Sequence, residues 1–198
     1  MRVPTLETPR LTVRPFVLGD LPAVYQLLDV DLAEADFGSE AAQSVDERRA
    51  WLEWQVASYE QLARLNQPPY GDRAVVLKKS GNLIGAVGFV PCFNLFEQLP
   101  ALRPEGASAP ARYTPEIGLY YAIAPRQQRR GHAAEAARAL AFFAFETLQV
   151  KRLVATTTYD NEASIGVMLK LGMRVEHNPS PQPRWLQVVG ILDHPPAA

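Results

Sequence analysis

Apolar and polar positions change period several times along the chain, and each change marks an element. Arg10-Leu11-Thr12-Val13-Arg14-Pro15 alternates, which predicts a short strand stopped by proline. A helix is predicted next, capped by Asp20 and carrying Pro22, Val24, Leu27 and Leu28. Val30 to Gln43 has no clear period and is expected to be loop. Ser44-Val45-Asp46-Glu47 is a capping box. The helix behind it places Trp51, Gln55, Tyr59 and Leu62 on one stripe, with Leu52 and Val56 beside them. Asn66 to Gly71, which holds two prolines, ends that helix. Ala74 to Lys78 and Leu83 to Val90 are predicted strands, joined by a hairpin turn over Lys79 to Asn82.

Cys92 to Pro115 is a long connection containing Pro100, Pro104, Pro110 and Pro115, and such connections are often functional. In Glu116 to Ile123, Ile117, Leu119, Tyr121 and Ile123 share one face and Glu116, Gly118, Tyr120 and Ala122 the other. Both faces are mostly apolar, so this strand is expected to be central. An alanine-rich helical pattern over Ala133 to Leu148 follows, then a strand rich in β-branched residues over Arg152 to Thr158. Asn161 caps a last helix that ends at Gly172, and Met173 to His177 and Trp185 to Leu192 are two final strands. The order is β-α-α-β-β-β-α-β-α-β-β. It predicts an α/β fold with a mixed central sheet of about seven strands and helices on both faces. Antiparallel hairpins come early and a parallel crossover follows Ile123. No repeat or second domain is visible, so residues 1–198 are expected to form one domain.

Composition narrows the function by exclusion. With 47% hydrophobic and 21% charged residues the chain reads as an ordinary soluble domain. A net charge of -1 gives no global pull toward nucleic acid or anionic membrane. Arg126, Arg129 and Arg130 alone are too small a footprint for nucleic acid. Cys92 is the single cysteine, so no internal disulfide forms, which suits a cytoplasmic protein. The N-terminus lacks the apolar core of a signal peptide. The alanine-rich helix is interrupted by Glu135, Arg138 and Glu146, too short and too charged to span a bilayer. His132, His177 and His194 show no metal-ligand spacing and Cys92 has no partner, so no metal is expected. There is no G-x-S-x-G elbow.

The candidate chemistry lies between the central strand and the alanine-rich helix, in Arg126 to Glu135, R-Q-Q-R-R-G-H-A-A-E. A helix start offers unpartnered backbone N–H groups and partial positive charge. Gly131 allows close approach to the backbone, and three arginines add charge, so a phosphate or pyrophosphate is the simplest ligand. The spacing fits neither the P-loop nor the dinucleotide loop. Gln128-Arg129-Arg130-Gly131-His132-Ala133 resembles the acyl-CoA-binding motif [QR]-x-x-G-x-[GA] of the GNAT superfamily of N-acetyltransferases. Thr8 to Pro15 resembles the opening T-x-R-L-x-L-R-P of the subgroup that includes the ribosomal-protein N-terminal acetyltransferases. Glu116-Ile117-Gly118 resembles its E-[IL]-G, and Gly131 to Ala136 its G-[YH]-A-T-E-A. Asn161-Glu162-Ala163-Ser164, followed by Lys170-Leu171-Gly172-Met173, resembles its N-x-x-S…K-L-G-[FM]. The element order is also that of the GNAT fold, from Arg10 to Leu192.

The resemblance implies transfer of the acetyl group of acetyl-CoA to a primary amine by direct attack in a ternary complex. A small molecule or a protein N-terminus would be the acceptor. Backbone N–H groups from Arg129 to Ala133, opened by Gln128, would hold the pyrophosphate. Arg129 and Arg130 either add charge there or are solvated surface residues, and His132 is expected to pack. Glu116 is the expected base, directly or through water; its alternative is a structural carboxylate. Backbone N–H groups of Leu119, Tyr120 and Tyr121 would polarise the thioester carbonyl. The family often places a tyrosine where this chain has Met168, which cannot donate a proton to the departing thiolate. Ser164, one turn earlier, is its expected replacement; Tyr120, Tyr121 and Tyr159 are donors by type. Asn161 combines capping with a place in the CoA site. Gly166 inside the last helix costs about 1 kcal/mol against alanine; either close approach of the pantetheine arm or tight packing would explain it. Trp51 and Trp54 would line the acceptor side, where Val30 to Gln43 and Cys92 to Pro115 set acceptor choice. The second of these, with Phe93, Phe96 and Tyr113, is expected to shape the acceptor pocket or to cover a subunit interface, which leaves a homodimer open. The rival reading is a non-catalytic acyl-CoA-binding sensor or scaffold with a degenerate site, favoured by Met168.

Overall fold

The computed structural model describes residues 2–33, 42–106 and 110–195. Residues 34–41 of the expected Val30–Gln43 loop and 107–109 of the Cys92–Pro115 connection lie outside the described residues. Eight strands hydrogen-bond in the order β1-β2-β3-β4-β5-β6-β8-β7, with four main helices. Two compact units divide the chain: Met1–Val90 with Tyr120–Phe143, and Pro91–Leu119 with Ala144–Ala198.

The first unit begins with β1 (Leu6–Glu7) and β2 (Leu11–Pro15), paired antiparallel with Leu6 opposite Val13. The two-residue β1 is the strand that the alternation pattern did not predict, being too short to carry a period. β3 (Gly71–Leu77) pairs with β2, and β4 (Leu83–Asn94) pairs with β3, both antiparallel. The last part of β5 (Thr114–Ile123) belongs to this unit, where the Ala124 N–H donates to the Ile84 carbonyl at 2.9 Å. One sheet face carries Ala74 and Ala86, which pack with Phe16, Val24 and Leu52 from α1 and α2. Small residues there let two helices approach the strands closely. The other face is also buried at Leu11, Val13, Val75 and Val87, as expected of a strand pair covered on both sides.

α1 (Leu21–Tyr25) differs from the expected helix at both ends. Asp20 does not cap it: the carboxylate instead accepts from the Arg14 guanidinium at 2.7 and 2.8 Å and from the Val17 N–H at 2.9 Å. A fixed cation one strand away outcompetes the helix amides for the same oxygens. Beyond Tyr25 the helix widens into a π-type turn over Gln26–Asp31, closed by the Leu32 N–H on the Leu27 carbonyl. Within that turn Asp29 is buried and binds Arg48 of α2 (Val45–Arg64) through two hydrogen bonds of 2.7 and 2.8 Å. The Gln43 N–H supplies a third at 2.8 Å. The Ser44–Glu47 capping box forms as expected, with the Glu47 N–H on Ser44 Oγ at 3.3 Å and the Ser44 N–H on Glu47 Oε2 at 2.8 Å. The inward stripe of α2 runs through Arg48, Leu52 and Gln55, with Trp51 and Tyr59 half-buried at its edges and Trp54 exposed.

In the second unit β6 (Arg152–Thr157) pairs in parallel with β5 at Gly118 and Val154, and antiparallel with β8 (Val188–Asp193), which pairs with β7 (Arg174–His177). α4 (Glu162–Leu171) starts on the Asn161 cap and ends at Gly172 with φ 80°. It covers β8 at Gly190, where an added Cβ would lie 2.8 Å from Met173 Sδ and 3.0 Å from Met168. The opposite face of β8, Val189 and Ile191, packs with Val154, Leu186, Phe96 and Leu99. Phe96 and Leu99, fully buried, thus anchor the Cys92–Pro115 connection in the core of its own unit. Its start, Cys92 to Asn94, continues β4 rather than leaving it. α3 (His132–Glu146), which belongs to the first unit as far as Phe143, buries Ala134, Ala136, Ala137 and Leu140 there. Among the described residues no helix is long and apolar enough to cross a membrane.

The Asp29–Arg48 pair is the lock on the α1–α2 connection. Removing one charge strands the other in the core, so Asp29→Asn is expected to cost about 3 kcal/mol in a denaturant melt. A change within error would show that Arg48 finds water or another acceptor.

Candidate active site

The turn between β5 and α3 is shaped by two left-handed residues, Arg129 with φ 58° and Gly131 with φ 81°. Alternating left- and right-handed residues turn successive backbone N–H groups toward a common point, an anion-binding concavity. None of the N–H groups of Arg129, Arg130, Gly131, His132 and Ala133 has a partner among the described residues. The first bond of the helix is the Glu135 N–H on the Gly131 carbonyl, at 3.0 Å. Five free donors at the positive end of a helix dipole fit a diphosphate. Gln128 does not face that cradle: its amide donates to the Ile123 carbonyl at 2.9 Å, closing the turn from the strand side. Gln128, Arg129 and Arg130 are exposed, and the guanidinium groups of the two arginines sit on a solvated rim.

His132 is buried, as expected of a packing residue, and its Nδ1 has no partner. Burial first, then the charges of Arg10 and Arg130, lower its pKa, so the ring is neutral at physiological pH.

Behind the turn lies a clasp that joins two of the sequence motifs. Glu135 Oε1 accepts from Thr8 Oγ1 at 2.7 Å and from the Arg10 N–H at 2.9 Å. Glu135 Oε2 accepts from Arg10 Nε and Nη2, each at 2.6 Å. Arg10 Nη1 then donates to the Arg130 carbonyl at 2.8 Å, inside the turn itself. A Cβ at Gly131 would lie 3.3 Å from Arg10 Nη2, so both the backbone angle and the guanidinium ask for glycine here. Burial raises the Glu135 carboxyl, but the Thr8 hydroxyl, the Arg10 N–H and the guanidinium together hold it below its ordinary value. The two motifs carry this pairing as opposite charges, but no spacing rule connects residues 125 positions apart.

The remaining expected residues divide between the two units. Tyr120 and Tyr121 lie on the first-unit part of β5; Leu119, Glu116, Asn161 and Ser164 lie in the second. Gly118 and Val154 are the one register pair of β5 with β6 among the described residues.

Glu116 is half-buried and faces Arg152 at 3.5 Å. Burial raises its carboxyl, Arg152 and Lys151 oppose that, and Asp193 adds to it. It also helps to push up the Cys92 thiol, which burial takes to about 11, so Cys92 is not a nucleophile. Asn161 Oδ1 accepts the Ser164 N–H at 3.0 Å, the cap expected of it. Met168 is fully buried under Gly190, while Ser164, one turn earlier, keeps part of its surface accessible. Tyr159 is engaged elsewhere: its hydroxyl donates to the Asn178 carbonyl and its ring stacks on His177. A Cβ at Gly166 would meet nothing within 4 Å, so tight packing does not account for that glycine. No group of three or more metal-ligating side chains occurs among the described residues.

This fold is that of an acyltransferase. The acetyltransferase (GNAT) domain matches residues 10–174, and the chain belongs to that family; it is an acetyltransferase. It is similar to the uncharacterized N-acetyltransferase YoaA of Bacillus subtilis (strain 168), 28% identical over 174 residues, 87% of this chain and 84% of that protein. Among solved structures it is similar to the ribosomal-protein-S5-alanine acetyltransferase of Vibrio fischeri, with TM-score 0.69, 14% identity and 98% of each chain covered. It is also similar to the microcin C7 self immunity acetyltransferase MccE, solved with acetyl-CoA and AMP, with TM-score 0.64, 14% identity, and 93% and 92% covered.

The clasp gives the expected result for Glu135→Gln. Losing one charge from a half-exposed network should cost about 1–2 kcal/mol of stability. It should also speed amide exchange at Arg130 and Gly131 more than at the centre of α3. Unchanged exchange at those two amides would separate the turn from the clasp. The normal dependence on acid follows from a lowered carboxyl: the contribution of Glu135 is present above its unfolded value and is lost as pH falls through its folded one.

Proposed function

We propose that the protein transfers the acetyl group of acetyl-CoA to the nitrogen of a primary amine, in a ternary complex and without an acyl-enzyme. The observation that carries the reading is the set of five unpartnered backbone N–H groups from Arg129 to Ala133. They are the donors for the pyrophosphate, with Arg129 and Arg130 adding charge at the rim and Gln128 and His132 holding the turn. MccE, named above, binds acetyl-CoA, and the Vibrio fischeri relative in fold is named for a ribosomal protein, which supports an amine acceptor. The two together leave both a protein N-terminus and a small molecule as acceptor classes.

In this reading the N–H groups of Leu119, Tyr120 and Tyr121 of β5 stabilise the oxyanion. Glu116 takes the proton that the attacking nitrogen sheds. Its partial burial raises its proton affinity, and Arg152 keeps it ionised enough to act. The Ser164 hydroxyl, at the start of α4 beside the Asn161 cap, donates to the departing thiolate, a role that the buried Met168 cannot take. Direct attack fits the buried, high-pKa state of Cys92, the single cysteine. We assign the whole chain, residues 1–198, to this one activity, place it in the cytoplasm, and give it no nucleic acid, membrane or metal requirement.

The burial of Met168 where the family often has tyrosine is the one observation that favours the rival, a CoA-binding sensor without turnover. Calorimetry with acetyl-CoA and thiol release with a panel of primary amines distinguish the two. Gly131→Val puts a branched side chain at φ 81° and against Arg10, and is expected to weaken acetyl-CoA binding tenfold or more, about 1.4 kcal/mol. Glu116→Gln is expected to leave that affinity unchanged and to lower kcat about a hundredfold. Tight binding with no thiol release on any amine would favour the sensor, and no binding by the parent protein would end both readings.

A further inference from the structure

The first unit holds a buried cation that none of the roles above uses. Arg73 of β3 stands opposite Pro15 of β2 and is only 2% exposed. A guanidinium stays protonated at physiological pH, so this is a full charge under cover. Its Nε and Nη1 are buried without a hydrogen-bond partner. The other shielded charges of this unit are matched: Asp20 by Arg14 at 2.7 Å and Asp29 by Arg48 at 2.7 Å.

The neighbours of Arg73 do not close on it. Tyr59 of α2 offers its ring face, 5.1 Å from the guanidinium carbon. The Tyr59 hydroxyl is committed elsewhere: it donates to the Asp72 carbonyl and accepts from the Phe16 N–H at 3.2 Å. Asp72 precedes Arg73 along β3, so its side chain leaves the strand on the other side. Glu60 Oε1 faces Arg2 at 3.7 Å and Arg64 at 2.9 Å. Burial lowers the Arg73 pKa, with Tyr59 and Asp72 opposing, so the field of Asp72 reaches the guanidinium without offsetting its burial.

Arg73 also lines a cavity of about 220 Å³, the volume of about seven waters. All the residues around that cavity belong to the first unit, and none of them belongs to the turn at the mouth of α3. Val3, Val56 and Pro69 give it apolar walls, and Tyr59 adds an aromatic one. Arg2 and Glu60 line it too, each with half or more of its side chain exposed. A cation inside and hydrocarbon on the walls ask for an anion with a short apolar body. A carboxylate is the anion that a planar guanidinium pairs with best at close range. Glu60 sets like charge against a second negative group on the same ligand.

We propose that this cavity is a carboxylate-binding site, which takes a short aliphatic monocarboxylate with its headgroup on Arg73 and its carbons against Val3, Val56 and Pro69. The site stands apart from acetyl transfer: it uses no residue of the cosubstrate turn, and it holds whether or not the acceptor is an amine.

The probe is sodium butyrate, with sodium chloride and sodium phosphate at equal ionic strength as controls. Nitrogen-15 NMR reads the side-chain Nε–H signal of Arg73, assigned through its own backbone amide. Butyrate is expected to shift that signal saturably, and chloride and phosphate to leave it in place. A signal that butyrate does not move overturns the proposal. One that phosphate moves equally overturns it too, because the cavity would then select charge alone. Val56→Phe keeps the cation and fills the cavity, and is expected to weaken butyrate binding tenfold or more. Unchanged binding there would place butyrate elsewhere on the protein and end the proposal. Glu60→Gln is expected to leave the Arg73 signal of the butyrate-free protein where it was. A shift as large as that given by butyrate would make Glu60 the partner of Arg73 and would also overturn the reading.

Discussion

The clasp of Arg10 on Glu135 is the constraint on which the turn at the mouth of α3 depends. A turn with five unpartnered amides and a left-handed arginine at φ 58° is not a shape the chain adopts for its own sake. A non-glycine residue there costs about 1 kcal/mol or more, and each free donor forgoes a partner unless solvent or ligand supplies one. Arg10 fixes the turn from the side away from those donors. It holds the Arg130 carbonyl, so the peptide that follows Arg130 cannot flip, and Glu135 holds Arg10 through backbone and side chain at once. The donors are kept apart from acceptors by geometry and not by repulsion. That is the form of preorganisation an anion site needs, because no reordering is required when the ligand arrives.

The anchor of that clasp is the first strand pair. Thr8 and Arg10 sit in the turn between β1 and β2, and Lys78 donates to the Thr8 carbonyl at 2.6 Å while its ammonium pairs with Glu7 at 2.8 Å. The short β1 therefore matters more than its two residues suggest: it fixes the strand entry from which Arg10 reaches the α3 mouth. The second unit follows a different logic. Its helix α4 is placed by two ends, the Asn161 cap and the left-handed Gly172, and by the close fit of Met168 and Met173 over Gly190. Filling that space with methionine sulfur leaves no room for a donor at position 168. The first turn of α4, where Ser164 is, keeps part of its surface accessible.

Periodicity made most of the fold legible in advance, because strands buried on both faces and helices with capping boxes carry their signature in a few adjacent residues. The Gln128–Ala133 motif, the Asn161 cap and the Gly172 stop were legible for the same reason. What escaped depends on partners distant in sequence. Asp20 looks like a cap until Arg14 on the neighbouring strand claims it. The strand expected from Ala74 begins at Gly71, because Phe89, Gly88 and Val87 offer Gly71, Asp72 and Arg73 a ladder. The Cys92–Pro115 connection looks like a variable loop, yet Phe96 and Leu99 are core residues on β8. Its aromatic pair Phe93 and Tyr113, with rings 5.3 Å apart, is the part that stays on the surface.

A comparison of the carboxylates in the first unit shows why Asp72 stands apart. Asp20, Asp29 and Glu135 are each shielded, and each receives three or more hydrogen bonds from arginine, backbone or hydroxyl donors. Their desolvation is offset inside the fold, which is the usual condition for a shielded charge. Asp72 receives none among the described residues, and the sign of its linkage is opposite to that of Glu135. A carboxyl raised to about 7 makes the folded state bind more protons than the unfolded one, so its ionisation lowers stability as pH rises toward that value. The structure tolerates this although the cations that could relieve it, Arg48 and Arg73, lie close by and are turned to Asp29 and to the Tyr59 ring instead.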